Sequence, residues 1–168
     1  LHEGLTACAD LFLRFGGHHQ AAGFSLLPGN LEKLRARFLQ ITAAALGEEP
    51  VLPRLFLDGY LNFKDAARLD LVKELQLLQP FGMHNPEPVF ASPPLLLKSV
   101  RPFGGKHATL ELTDEDTGIT LRAKAWRNLA HFPPSRVGQK LQIAYAPRLD
   151  AYNGLTTIDL QLRDWKWL

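Results

Sequence analysis

The most restrictive feature of this sequence is a series of five short segments, all beyond residue 94, in which apolar and polar residues alternate. They cover residues 95–100, 107–113, 118–126, 140–146 and 155–163, and turn-forming Gly, Pro, Asn or Thr residues separate them. A period of two is typical of strands that bury one face. Five such strands at short spacing predict a small β-barrel. In the third segment the predicted inward set is Ile119, Leu121, Ala123 and Ala125, with Thr120, Arg122 and Lys124 on the opposite face.

The first 50 residues have a different pattern. Apolar residues at positions 8, 11, 12 and 15 have the spacing of a one-sided helix, which Gly16 and Gly17 would end. A short extended stretch at 23–27 follows, and Asn30 is the predicted N-cap of a second helix over 31–45 that Gly47 closes. Cys8, the single cysteine, is expected in the core.

The polar, proline-containing stretch around residues 48–53 predicts a domain boundary between residues 51 and 52. Beyond it we expect a strand over 54–62, a helix over 65–78 and a rigid proline-rich loop over 79–88. The fold class is therefore α+β: a helix-strand-helix unit at 1–51, which looks like the second half of a domain, and a five-stranded barrel with an N-terminal strand and helix at 52–168.

Composition narrows the function classes. The chain has 168 residues, 46% of them hydrophobic and 21% charged, which excludes a disordered or fibrous protein. The sequence begins with Leu1 rather than Met, and we expect a piece of a longer protein. We expect that protein to be cytoplasmic and to have no membrane partner, because the sequence has neither a signal peptide nor an apolar run of the roughly 20 residues that a membrane span needs. The net charge is +2, and residues 101–168 hold ten Lys and Arg against seven Asp and Glu, so a local site for a polyanion is one interpretation and an ordinary surface is the other.

The stretch 16–23, Gly-Gly-His-His-Gln-Ala-Ala-Gly, carries the clearest chemistry. Consecutive glycine amides can form a concave anion site, and the His18 imidazole adds a donor for a phosphate oxygen. The alternative is that the glycines only end a helix and that His18 is an ordinary loop histidine. The residues alone leave both interpretations open.

Two motifs in order add a family resemblance. Residues 16–23, followed by Phe24-Ser25-Leu26, resemble the GGHxxAAG signature of the DHH-associated domain of the DHH phosphoesterase superfamily. Residues 78–90 resemble the PFGxGNPEPVF stretch of the RecJ single-strand-specific exonucleases, with His84 in place of the usual glycine. The segments after Gly104-Gly105 and Gly154 resemble the OB-fold domain that follows in RecJ. The resemblance covers nearly the whole chain.

The resemblance implies a parent enzyme that hydrolyses single-stranded DNA from its 5′ end during repair and recombination. Its Mn²⁺ or Mg²⁺ ions would be bound by a DHH domain that this chain does not contain, so we expect no cofactor and no nuclease activity in the chain itself. The expected partners are single-stranded DNA and, for the parent, single-strand-binding or other repair proteins. Gly16, Gly17 and His18 would hold a phosphate.

OB folds bind oligonucleotides with a basic face and stacking aromatic side chains. The residues expected to form that interface are Arg101, Phe103, Lys106, His107, Arg122, Lys124 and Tyr152. Four other aromatic residues, Trp126, Tyr145, Trp165 and Trp167, are expected to pack in the core or between subdomains.

Three alternatives stay open. A barrel that binds a partner protein would need exposed apolar residues in place of Lys106, Arg122 and Lys124. A small-nucleotide phosphodiesterase would share the His18 motif but would not need a barrel. Alanyl-tRNA synthetases also carry a DHH-associated domain, although the stretch 80–90 argues against a tRNA-related role.

Overall fold

A computed structural model describes residues 1–18, 21–47, 52–152 and 154–168, except for the side chain of Tyr152. The described residues form two compact units, Leu1–Arg54 and Leu55–Leu168. The break between the units therefore lies three residues beyond the boundary that the sequence predicts.

The first unit contains helix α1 (His2–Thr6), strands β1 (Phe12–Gly17) and β2 (Ala22–Leu26), and helix α2 (Leu31–Leu46). The predicted helix through Phe15 is wrong, because β1 and β2 pair as an antiparallel hairpin with Phe15 opposite Phe24. The Phe12 ring lies 4.9 Å from that of Phe24 and 5.5 Å from that of Phe15. Aromatic pairs of this kind stabilise a sheet, so Gly16 and Gly17 end a strand rather than a helix.

Helix α2 agrees with the sequence prediction. Gly47 follows its last residue with a φ of 70°, which favours glycine. Asn30 precedes the helix, but the prediction that its side chain caps it is wrong, since the Asn30 amide donates to the Leu11 carbonyl at 3.1 Å. Leu34 packs with the fully buried Cys8 and with Leu11, which confirms Cys8 as a core residue.

The second unit begins with strand β3 (Gly59–Tyr60), helices α3 (Phe63–Ala66) and α4 (Leu69–Gln76), and strand β4 (Phe90–Ala91). The strand predicted over 54–62 is thus reduced to two residues. The helix predicted over 65–78 is divided, because Arg68 has an extended backbone with φ −81° and ψ 118°. Phe63 and Ala66 are fully buried in the core cluster of the barrel, so α3 contributes to that core.

Five strands close into the barrel: β5 (Leu95–Phe103), β6 (His107–Thr113), β7 (Thr120–Ala125), β8 (Lys140–Tyr152) and β9 (Leu155–Trp167). Their order around the ring is β8-β5-β6-β7-β9, and β9 pairs again with β8. The contact between β7 and β9 is parallel, and the other contacts in the ring are antiparallel. The α+β class and the ring of five strands are as the sequence predicts.

Alternate residues of the barrel strands fill its core. Ala123 and Ala125 are fully buried and Ile119 and Leu121 pack against the core cluster, which confirms the predicted inward set of the third strand. The strand register places the outward residues beside one another: Arg101 is opposite Thr109, which is opposite Lys124, and Glu111 is opposite Arg122.

The proline-rich loop over 79–88 is held to the barrel by charge. Glu87 accepts two hydrogen bonds from Arg148, at 2.6 and 2.8 Å, and one from Arg163. Within the loop, the Asn85 amide donates to the carbonyls of Leu78 and Pro80. The expectation of a rigid structural element therefore agrees with the contacts, which are mostly polar.

Candidate nucleic-acid interface

Three aromatic side chains meet at one end of the barrel, where β5 ends, β6 begins and β7 ends. Phe103 and His107 are cross-strand partners with ring centroids 5.2 Å apart. The Trp126 ring stands edge-on to both, 5.3 Å from Phe103 and 4.9 Å from His107. Trp126 is 47% exposed, so the cluster presents a large aromatic ring to solvent.

Hydrogen bonds fix the orientation of this aromatic cluster. The Trp126 Nε1–H donates to Gln161 Oε1 at 2.7 Å, and the backbone N–H of Arg127 donates to His107 Nδ1 at 2.8 Å. Arg127 has a φ of 61°, which is uncommon for a residue other than glycine. The rings are therefore held in place before any ligand arrives.

The tight turn beneath the aromatic cluster requires glycine. Gly104 has a φ of 54°, and a Cβ at this position would lie only 3.0 Å from the Cδ2 of His107. A larger residue would therefore strain the turn and crowd the His107 imidazole.

Two cations flank the aromatic cluster. The side chains of Lys106 and Arg127 are exposed and form neither an ion pair nor a hydrogen bond with the part of the chain that the structure describes. Unpaired cations beside exposed aromatic rings are the combination that binds single-stranded nucleic acids.

The other three predicted basic residues lie on the outer face of β5 to β7, as expected, but each is paired with an acid. Arg101 donates to Glu111 at 3.0 Å. Lys124 Nζ lies 2.8 Å from Asp150 and 2.7 Å from Asp159, and Arg122 Nε lies 3.5 Å from Asp159. The expected basic face is thus balanced by three carboxylates.

The ion pairs around Lys124 shift the pKa values of Lys124 and Asp150. Hydrogen bonds to Asp150 and Asp159 raise the pKa of Lys124 above its ordinary value, despite its partial desolvation. The hydrogen bond from Lys124 lowers the pKa of Asp150 below its ordinary value. Both groups are therefore firmly charged at neutral pH.

The structure corrects one sequence expectation directly: Trp126 is not a core residue. The signal was present, because Trp126 continues the outward series of Thr120, Arg122 and Lys124. The other three aromatic expectations are confirmed. Tyr145 is fully buried, and Trp165 and Trp167 pack against Phe132 at ring distances of 4.9 and 5.7 Å.

The predicted stacking residue Tyr152 lies partly outside the described residues. Its backbone pairs with Leu155 at the end of the β8–β9 hairpin, while its side chain is not among the described groups.

At the predicted phosphate site in the first unit, one of the backbone N–H groups is already hydrogen-bonded within the chain. The His18 N–H donates to the Ala21 carbonyl at 2.7 Å. Gly17 has a φ of 148°, and a Cβ there would collide with the Ala21 carbonyl and with Ala22. The backbone therefore requires glycine at this position whether or not a phosphate binds. Residues Gly17 and His18 line a cavity of about 280 Å³ together with His2 and Glu3.

The described parts of the chain contain no group of three or more His, Cys, Asp or Glu side chains that could hold a metal ion. No described helix is long and apolar enough to span a membrane.

The comparison with known protein families decides the classification. Residues 57–164 match the family described as the RecJ OB domain. This chain belongs to the RecJ family. In this RecJ OB domain, the turn 104–106 joins the first two barrel strands, and OB folds bind oligonucleotides at this loop and the neighbouring strands. The aromatic cluster therefore lies where the fold commonly places its ligand.

Curated RecJ proteins match both units. The RecJ exonuclease of Bacillus subtilis is 33% identical over 113 residues, which are 67% of this chain and 14% of that protein. RecJ of Thermus thermophilus is 30% identical over 164 residues, 96% of this chain and 22% of that protein. The crystal structure of Thermus RecJ in complex with Mn²⁺ matches 98% of this chain and 23% of that chain with a TM-score of 0.71. The chain spans 14% to 27% of the length of its curated relatives.

Proposed function

We propose that this chain is the nucleic-acid-binding part of a RecJ-like exonuclease that degrades single-stranded DNA from 5′ to 3′ in cytoplasmic DNA repair and recombination. In this proposal residues 1–51 belong to a DHH-associated domain and residues 52–168 to the OB domain. The hydrolytic metals, Mn²⁺ or Mg²⁺ as in the crystal structures of Thermus RecJ, belong in this proposal to a region outside this chain.

One observation supports the proposal most strongly: the aromatic cluster of Phe103, His107 and Trp126 adjoins in the chain two exposed cations, Lys106 and Arg127, that form no ion pair with the described residues. Unpaired bases expose their faces, so a single strand can stack its bases on aromatic rings more readily than a duplex can. Stacking contributes about 1–3 kcal/mol per base and is tolerant of sequence. An exonuclease that removes nucleotides regardless of sequence needs contacts of this kind.

The barrel face also argues against the protein-binding alternative. That alternative would require exposed apolar side chains in place of the basic set, whereas Arg122 and Lys124 lie on this face and Lys106 lies in the adjoining turn. Charged side chains are depleted in the cores of protein interfaces. Lys106, which is exposed and forms no ion pair with the described residues, favours a nucleic-acid ligand at this end of the barrel.

In the first unit we propose that the His18 imidazole and the neighbouring glycines, Gly16 and Gly17, contact a phosphate. The His18 amide is occupied, so the side chain is the donor in this proposal. In the parent enzyme, His18→Ala should lower exonuclease activity about ten- to hundredfold, the loss expected for a charge-assisted contact. Full activity, or an unfolded variant, would show that His18 has only a structural role.

The test of DNA binding uses fluorescence anisotropy with a labelled single-stranded oligonucleotide and the same sequence as a duplex. Trp126→Ala should weaken binding to the single strand about 5- to 150-fold, the equivalent of 1–3 kcal/mol. Tyr60→Ala is the matched control, because Tyr60 is an exposed aromatic residue on β3 and belongs to no part of the aromatic cluster. Equal affinity for the duplex, or no effect of Trp126→Ala, would overturn the proposal.

A further inference from the structure

We infer that Glu111, Asp150 and Asp159 limit the affinity of the barrel for single-stranded DNA by neutralising the cations that would otherwise contact its phosphates. The inference rests on the proposed function and goes beyond it, since it assigns an affinity-setting role to three acids.

Basic and acidic side chains are paired on the outer face of β5 to β7. The strand register brings the cations Arg101, Arg122 and Lys124 together on β5 and β7. Three acids lie against them, one from β6, one from β8 and one from β9: Glu111, Asp150 and Asp159. The six charges sum to zero, so the face presents no excess positive charge to a polyanion.

Two of the acids, Asp159 and Glu111, are held in place by their surroundings. Asp159 is 3% exposed, and its Oδ2 accepts from Lys124 while its Oδ1 forms no hydrogen bond with the described residues. Glu111 accepts from Arg101 and, at 2.6 Å, from the Ser99 hydroxyl. A buried carboxylate is costly to place, and these side chains are held where they face the cations.

This pairing has a consequence for DNA binding. Affinity for a polyanion rises with each phosphate that the protein neutralises, and the salt dependence on single strands has a slope of roughly −0.7 per contact. A phosphate that approaches Arg101 or Lys124 must compete with a carboxylate already in place. The unpaired Lys106 and Arg127 then supply most of the charge, with an expected slope of about −1.4.

The experiment measures single-strand binding of Glu111→Gln/Asp150→Asn at several salt concentrations. The double variant raises the net charge of the face from zero to +2, because each substitution removes one negative charge. The slope should steepen by about 1.4, and affinity at about 50 mM salt should rise about tenfold or more. The control Asp116→Asn/Asp164→Asn makes the same change in net charge at exposed acids that form no ion pair with the described chain, and should change affinity less than about twofold.

The outcomes separate the inference from the proposed function. If the double variant leaves affinity and slope unchanged while Trp126→Ala still weakens binding, the acids have only a structural role and the inference fails alone. If neither wild type nor the double variant binds, both fail. Should thermal denaturation show that the double variant is unfolded, Asp150→Asn alone serves, since that side chain is 42% exposed, and its slope should steepen by about 0.7. An unchanged slope in this single variant would also overturn the inference.

Discussion

The indole N–H of Trp126 donates to the side-chain oxygen of Gln161 on the neighbouring strand β9 at 2.7 Å. This bond joins an exposed ring to the barrel and fixes its orientation. A ring that is already oriented loses less conformational freedom when a base stacks on it.

Replacing Gln161 should therefore weaken DNA binding without touching any group that contacts DNA. We expect Gln161→Leu to lower single-strand affinity about 2- to 13-fold, which corresponds to the 0.5–1.5 kcal/mol of one net hydrogen bond. Gln142→Leu is the control, because Gln142 donates to the Tyr60 hydroxyl, outside the aromatic cluster. Equal effects of the two variants in an anisotropy titration would contradict this role of Gln161.

The unpaired cations should control salt dependence. Lys106→Gln/Arg127→Gln should flatten the slope of log K against log salt by about 1.4, because two phosphate contacts are lost. Trp126→Ala should reduce affinity at every salt concentration with little change in slope. A steep slope that survives the double replacement would show that the strand contacts other cations.

Features that depend on neighbouring residues could be predicted from the sequence, whereas features that depend on residues far apart in the chain could not. The five barrel strands could be predicted because alternation and turn residues are local signals, and the exposure of Trp126 follows from the same alternation. The hairpin at Phe12 could not, since its apolar residues fit a helical spacing equally well and cross-strand pairing decides between the two. The pairing of Lys124 with acids on the outer barrel face could not be predicted either, because Asp150 and Asp159 lie 26 and 35 residues from Lys124 in the sequence.

Glu87 should stabilise the second unit in a pH-dependent way. Burial raises its pKa, but the hydrogen bonds and charges of Arg148 and Arg163 outweigh burial and hold the pKa below its ordinary value. Its contribution is therefore complete above the ordinary glutamate pKa of about 4.3 and is lost as the pH falls through the lower, folded-state value.

We expect Glu87→Gln to lower the free energy of unfolding at pH 7 by about 1.5–3 kcal/mol. The variant should also lose less stability than wild type on acidification below about pH 4.3. Urea denaturation followed by tryptophan fluorescence reports on the second unit, because all three tryptophans lie in it. Glu74→Gln, an exposed site on α4, is the control and should behave as wild type; a Glu87 variant with the same pH profile as wild type would refute the ion-pair account.

The chain should be inactive as a nuclease. Under the proposed function, hydrolysis would use a metal-activated water, and the metal would be held by a region outside this chain. Incubation with 5′-labelled single-stranded DNA and Mn²⁺ should leave the DNA intact, whereas cleavage that is abolished by a chelator and survives repeated purification would reject this prediction.

The most direct test of the central claim is to locate the stacked base. A single-stranded oligonucleotide carrying 5-iodouracil crosslinks under long-wavelength ultraviolet light to aromatic side chains that stack on the base, and mass spectrometry of the digested complex identifies the attached residue. We predict attachment to Trp126, Phe103 or His107, and competition by unlabelled single strand but not by duplex. Crosslinks confined to Trp165, Trp167 or the first unit, with none on these three residues, would contradict the assignment of this end of the barrel as the site that binds DNA.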